Sequence, residues 1–193
     1  SWFILKNSRT FSIKIIINAV NKANSRERIV DMVDTVDAVE VENSDANITL
    51  HVGFLLMPEY TLSTFSNAVS VLRMANRLSG RELYRYSVFS LNGEPVISSS
   101  GIELVLDGSI KSLGDMNVLM VCGGYNIKNY CTKPVVDALR AMDKKKIPLG
   151  GMCTGSYVLA AAGLLDGYRS TIHWENIASM REQFPKLNIS SSL

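Results

Sequence analysis

The run Ile147-Pro-Leu-Gly-Gly-Met-Cys153-Thr-Gly-Ser-Tyr-Val-Leu-Ala-Ala-Ala-Gly163 constrains the fold more than any other part of the chain. Residues 147–152 are apolar and glycine-rich, as in a short buried strand. Thr154 or Ser156 can cap a helix N-terminus. Tyr157, Val158, Ala161 and Leu164 then recur at helical spacing, and Gly163 stands where a helix would end. Gly151 and Gly155 flank Cys153 and allow a tight bend with a helix packed close behind. This is the strand–turn–helix layout of a nucleophile elbow, with cysteine in place of serine. The partial positive charge of a helix N-terminus favours thiolate over thiol. A lone cysteine in an apolar run is more often a small core side chain. The flanking glycines turn the reading toward a pocket, which is not yet catalysis.

The chain of 193 residues suits one domain with an additional segment. Its apolar content of 47% is ample for a core, and a net charge of +2 gives no electrostatic case for nucleic-acid binding by the chain as a whole. Cys122, Cys131 and Cys153 are odd in number and lack metal-type spacing. Free thiols in a reducing compartment are expected, with a cytoplasmic location, no metal and no cofactor. The chain opens on Ser1-Trp2 without an initiator methionine, so a native N-terminus is not expected there. No secretory signal is evident, and Ile15-Ile16-Ile17 is too short to span a membrane. Residues 147–165 approach spanning length, but their glycines and hydroxyls fit an elbow better.

Residues 1–50 differ from the rest. They are basic up to Arg28 and acidic from Asp31 to Asp45, where Asp31, Asp34, Asp37 and Glu40 alternate with Val33, Val36, Val39 and Val41. A surface helix and a solvated tail both fit this pattern. From residue 51 the pattern becomes regular. Strands are expected over 51–57, 86–91, 96–97, 102–106 and 117–122, and one begins near 187. Helices are expected over 62–78, 134–142 and 174–184, bounded by Gly80, by Lys144-Lys145-Lys146 and by Pro185 respectively. Alternating strands and helices imply an α/β layer fold with a mostly parallel sheet.

In such sheets ligands bind beyond the carboxyl ends of the strands. Three loops meet there: Pro58-Glu59-Tyr60, Gly123-Gly124-Tyr125 and Cys153-Thr154-Gly155. His173 is the one histidine in the elbow half, and a Cys153–His173 pair would be a minimal nucleophilic apparatus. The alternative for His173 is a local cap or hydrogen bond. Glu59 is either an acid or base at the pocket or a solvated loop carboxylate. Tyr60, Tyr125 and Trp174 either line a pocket suited to a cation or pack in the core.

Three segments carry a resemblance: Val52-Gly-Phe-Leu-Leu-Met-Pro58; Leu72-Arg-Met-Ala-Asn76-Arg; and Cys153-Thr-Gly-Ser-Tyr-Val-Leu-Ala-Ala-Ala-Gly-Leu-Leu-Asp-Gly-Tyr168, followed by Thr171-Ile-His-Trp-Glu175. Together they resemble the N-terminal domain of GlxA-type AraC-family transcriptional regulators, within the ThiJ/PfpI, class I glutamine amidotransferase-like superfamily. The resemblance covers residues 51–193 and lies nearest the branch that senses arginine, glycine betaine or carnitine. It implies a flavodoxin-like three-layer sandwich that usually dimerises and is joined to a C-terminal helix-turn-helix domain. That domain is absent from the sequence, and the family domain normally continues past the last residue with another strand and helix, so truncation is expected. Residues 1–50 match no part of the family pattern.

Two departures bear on catalysis. Enzymes of the ThiJ/PfpI type place an acidic residue near the start of the helix after the first strand, in contact with the cysteine; here the region reads Leu62-Ser63-Thr64. Glu59 lies a turn too early. Glutamine amidotransferases also need a histidine and a glutamate late in the chain. The resemblance thus implies a sensing and dimerisation domain with no catalytic residue, reaching DNA only through the missing domain, and no membrane. Its expected effector, a small amino acid or quaternary ammonium metabolite, would contact Glu59, Tyr60, Gly124, Tyr125, Cys153, Thr154 and His173. The rival is an enzyme using Cys153, with His173, on a small electrophile.

Overall fold

The computed structural model describes residues 3–6, 49–112, 114, 116–170, 172 and 174–189. The charge blocks of residues 7–48 and His173 lie outside the described residues. The strands are β1 (Phe3–Lys6), β2 (Leu50–Leu56), β3 (Tyr84–Ser90), β4 (Val96–Ile97), β5 (Glu103–Leu104), β6 (Gly108–Ser109), β7 (Val118–Cys122), β8 (Leu149–Met152), β9 (Arg169–Ser170) and β10 (Asn188–Ile189). The helices are α1 (Leu62–Ser79), α2 (Ile127–Tyr130), α3 (Lys133–Lys144), α4 (Gly155–Ala161) and α5 (Ile177–Gln183).

Six strands form the central sheet in the order β1-β8-β7-β2-β3-β6. The pairs β8-β7, β7-β2, β2-β3 and β3-β6 are parallel, and only β1 runs antiparallel, against β8. The expected α/β architecture with a mostly parallel sheet is therefore present. β1 is an addition to it: residues 3–6 belong to the segment without a family counterpart, yet they pair with the strand that precedes Cys153.

The inner strands are apolar on both faces because helices cover both. Val52, Phe54 and Leu56 of β2 join Met120 and Cys122 of β7 and Met152 of β8 beneath Phe65, Ala68 and Leu72 of α1. Leu55, Leu119, Val121 and Leu149 point the other way, into a core with Leu139 of α3, Val158 and Leu159 of α4 and Met180 of α5. The period-two alternation of β strands divides each strand between these two cores.

α1 begins after Thr61 and ends at Gly80, whose φ of 67° supplies the left-handed stop that glycine accepts without strain. α4 stops similarly at Gly163: the Gly163 N–H reaches the Ala160 carbonyl and the Leu164 N–H reaches that of Leu159, a Schellman closure. The helix expected over 174–184 is divided, with a 3₁₀ turn at Trp174–Asn176 leading into α5. Among the described residues no helix is long and apolar enough to cross a membrane.

Candidate functional site

Cys153 follows the last residue of β8 and precedes α4 by one residue. Its φ of 55° places a non-glycine side chain in the left-handed region, which stores backbone strain. The two neighbouring glycines make the turn sterically feasible. A Cβ on Gly155 would collide with the Val121 carbonyl, and one on Gly151 would press on the backbone of Ser156. α4 can therefore sit directly behind β7 and β8 with the thiol raised above the sheet end. The capping expectation needs correction. Thr154 holds the N-cap position without a side-chain cap bond; its hydroxyl instead donates to the Gly124 carbonyl at 2.8 Å. That bond ties the elbow to the neighbouring strand-end loop.

Among the described residues the partner of the thiol is a hydroxyl. Thr61 Oγ1 donates to Cys153 Sγ at 3.4 Å from the residue that opens α1. Sequence reasoning looked for this contact at Ser63 or Thr64; Ser63 is exposed, whereas Thr64 is buried with its backbone N–H bonded to the Thr61 carbonyl. Thr61 stands one position before the helix, so it could have been found by extending the search from the first helical turn to the N-cap position. Cys122, one register pair away, is a different kind of thiol. It is buried, lies 3.6 Å from Met152 Sδ, and its pKa is pushed far up by burial and further by Cys153.

The three expected loops do converge. The Tyr125 N–H bonds to the Glu59 carbonyl at 3.2 Å, and the Thr61 N–H bonds to the Gly123 carbonyl at 3.1 Å. Tyr60 and Gly124 form an isolated antiparallel bridge. The side chains nevertheless separate into two groups. Tyr60 is fully buried, its ring edge-on to Phe65 at 6.0 Å between centroids, so it belongs to the core beneath α1. Glu59 lines a cleft that does not include Cys153. Its carboxylate accepts a hydrogen bond from Asn126 Nδ2 at 3.0 Å, and desolvation together with the Glu59 carboxylate raises the pKa of the Tyr130 phenol.

Glu59 and Tyr125 instead line a cleft of about 730 Å³ under the β4–β5 hairpin, with Glu94, Pro95 and Ser98 along the opposite wall. Glu94 carried no signal in the sequence reading because Asn92-Gly93-Glu94-Pro95 shows only turn chemistry. Cys153 is not among the cleft's lining residues. Among the described residues no group of histidine, cysteine and carboxylate side chains could hold a metal ion.

A doubly covered parallel sheet with a strained cysteine at a strand–helix elbow defines the class of α/β domains built around a nucleophile-type turn. The chain belongs to the DJ-1/PfpI family, whose model matches residues 51–187. It is 44% identical over 142 residues to the HTH-type transcriptional regulator GbdR of Pseudomonas aeruginosa, covering 74% of this chain and 39% of the relative. It is 36% identical over 148 residues to the HTH-type transcriptional regulator GlxA of Rhizobium meliloti, covering 76% and 45%. A crystal structure of an AraC family transcriptional regulator from Pseudomonas putida matches with a TM-score of 0.66 at 32% identity, over 74% of this chain and 77% of that one. A more distant relative, 29% identical over 128 residues and covering 66% of this chain and 54% of its own length, is an isonitrile hydratase of Pseudomonas putida. The chain spans about two fifths of the length of the curated regulators it matches.

Proposed function

We propose that this chain is the ligand-sensing and dimerisation domain of a bacterial AraC-family transcriptional regulator, taking a small amino acid or quaternary ammonium metabolite at the strand-end face. DNA contact would come from a helix-turn-helix domain outside this sequence, and the protein would work in the cytoplasm as a homodimer. The observation that carries the reading is the pairing of Cys153 with the Thr61 hydroxyl. An acidic partner would move protons for a nucleophilic thiol; a threonine hydroxyl, which ionises far above neutral pH, does not. The regulators that match most of this chain support the same conclusion.

The test uses the full-length protein. A thermal-shift screen against arginine, betaines and carnitine should find a stabilising effector by mass action, and that effector should change operator binding. Sedimentation should give a dimer. The isonitrile hydratase relative defines the contrary outcome: turnover of a small electrophile that is lost in Cys153→Ala would make the enzyme reading right and the sensor reading wrong.

A further inference from the structure

We infer that the cleft between the Glu59 loop and the β4–β5 hairpin, not the cysteine elbow, is a binding site for a compact organic cation, held between the carboxylates of Glu59 and Glu94 and against the ring of Tyr125. The inference rests on the sensor reading of this face and locates its ligand.

The cleft's size, about 730 Å³, falls within the range of small-metabolite sites. Among the described residues its charge is one-sided: two carboxylates line it, and no lysine, arginine or histidine does. The Glu59 carboxylate is oriented by Asn126, a neutral donor, so among the described residues that bond positions its oxygen without bringing a positive charge to it. Lys128, on the adjoining helix α2, is turned elsewhere: its ammonium donates to Ser179 Oγ at 2.8 Å and sits 5.9 Å from the Tyr157 ring centre. Tyr125 is 73% exposed and presents an open aromatic face at the cleft, which attracts a cation through the ring quadrupole.

The walls are held in place. The Glu94 N–H bonds to Asn92 Oδ1 at 3.2 Å and the Glu94 carbonyl accepts from Ser90 Oγ at 2.8 Å. The Glu59 N–H bonds to the Ile97 carbonyl at 2.9 Å, and the Ser99 N–H to the Tyr60 carbonyl at 3.0 Å. The hairpin is thus laced to the loop that carries Glu59, and a ligand between them would touch both. Two carboxylates, on segments whose backbones are tied down, and an exposed ring select a charged ammonium over a neutral molecule of equal shape.

The experiment is calorimetric titration of the full-length protein with choline and with 3,3-dimethylbutan-1-ol, its uncharged carbon isostere. Choline should bind at least about tenfold more tightly than the alcohol. Glu59→Gln should weaken choline about tenfold or more, the scale of a charge-assisted contact, and Glu94→Gln or Tyr125→Ala should each weaken it several-fold. Cys153→Ser should leave it within about twofold. Equal binding of choline and the alcohol, no choline binding at millimolar concentration, or wild-type affinity in both glutamine variants overturns the inference. The sensor reading fails separately. Choline bound in the cleft with no change in operator affinity defeats the sensor and keeps the site. A metabolite that changes operator affinity equally in wild type and in the glutamine variants keeps the sensor and defeats the site.

Discussion

Tyr60 carries a hydroxyl that is buried without a hydrogen-bond partner, the one such side-chain atom identified among the described residues. The Ser98 side chain approaches it without reaching hydrogen-bond geometry. Burial raises the phenol's pKa, Cys122 adds to the rise, and Ser98 partly offsets it. Burial alone raises the pKa of Tyr84. An unpartnered buried hydroxyl costs about 1–3 kcal/mol. Tyr60→Phe keeps the ring against Phe65 and removes that cost, so it should stabilise the fold by about 1 kcal/mol in urea titrations at neutral pH. The alkaline limb gives a second readout. A phenol with a raised folded-state pKa holds its proton more tightly when folded. Its contribution is complete below about pH 10, the unfolded value, and is lost as pH rises through the folded value. Tyr60→Phe should therefore lose less stability than wild type above pH 10, while Tyr84 keeps part of the loss in both. A variant less stable than wild type at neutral pH would mean that the hydroxyl has a partner after all.

At the scale of elements, the elbow depends on how closely α4 approaches β7. Gly155→Ala would drive a methyl group into the Val121 carbonyl, which is backbone and cannot rotate away. Overpacking of this kind costs about 1–3 kcal/mol and occasionally more, so the unfolding free energy from denaturant titration should fall by that amount. Gly163→Ala meets no atom within 4 Å and suffers only from its φ of 69°, so it should cost less, about 1 kcal/mol. Equal losses at the two positions would show that the close approach is not limiting. These elements were also the legible ones. The strands near 51–57 and 117–122, the helix near 62–78 and the elbow all have long apolar patterns because both faces of the sheet are covered. The four-residue helix α2 and the two-residue strands β6 and β9 are too short to show a period, and tertiary contacts fix them. The site was legible only as three convergent loops. Neither the contact of Glu59 with Asn126 nor the reach of Thr61 to Cys153 has a sequence period, since both depend on how loops distant in sequence pack.

The whole molecule sets one constraint that no single element does. The strand-end face carries both the thiol and the carboxylate cleft, and the relatives that match most of this chain are considerably longer than it and named as transcriptional regulators. If occupancy of this face alters a DNA-binding domain, the two sites share one coupling free energy. An effector that changes operator affinity by some factor must have its own affinity changed by the same factor when operator is bound. Couplings of this kind are typically about 5–150-fold. The prediction is that full-length protein, titrated with effector in the presence and absence of saturating operator DNA, gives an affinity ratio equal to the effector's shift of operator affinity. The equality should hold at every protein concentration well above the dimer dissociation constant. If the two factors agree only where dimer and monomer coexist, the effector acts by assembling subunits and not by switching an assembled dimer. If effector affinity ignores operator DNA altogether, the face does not communicate with the DNA-binding domain, and the sensor reading falls.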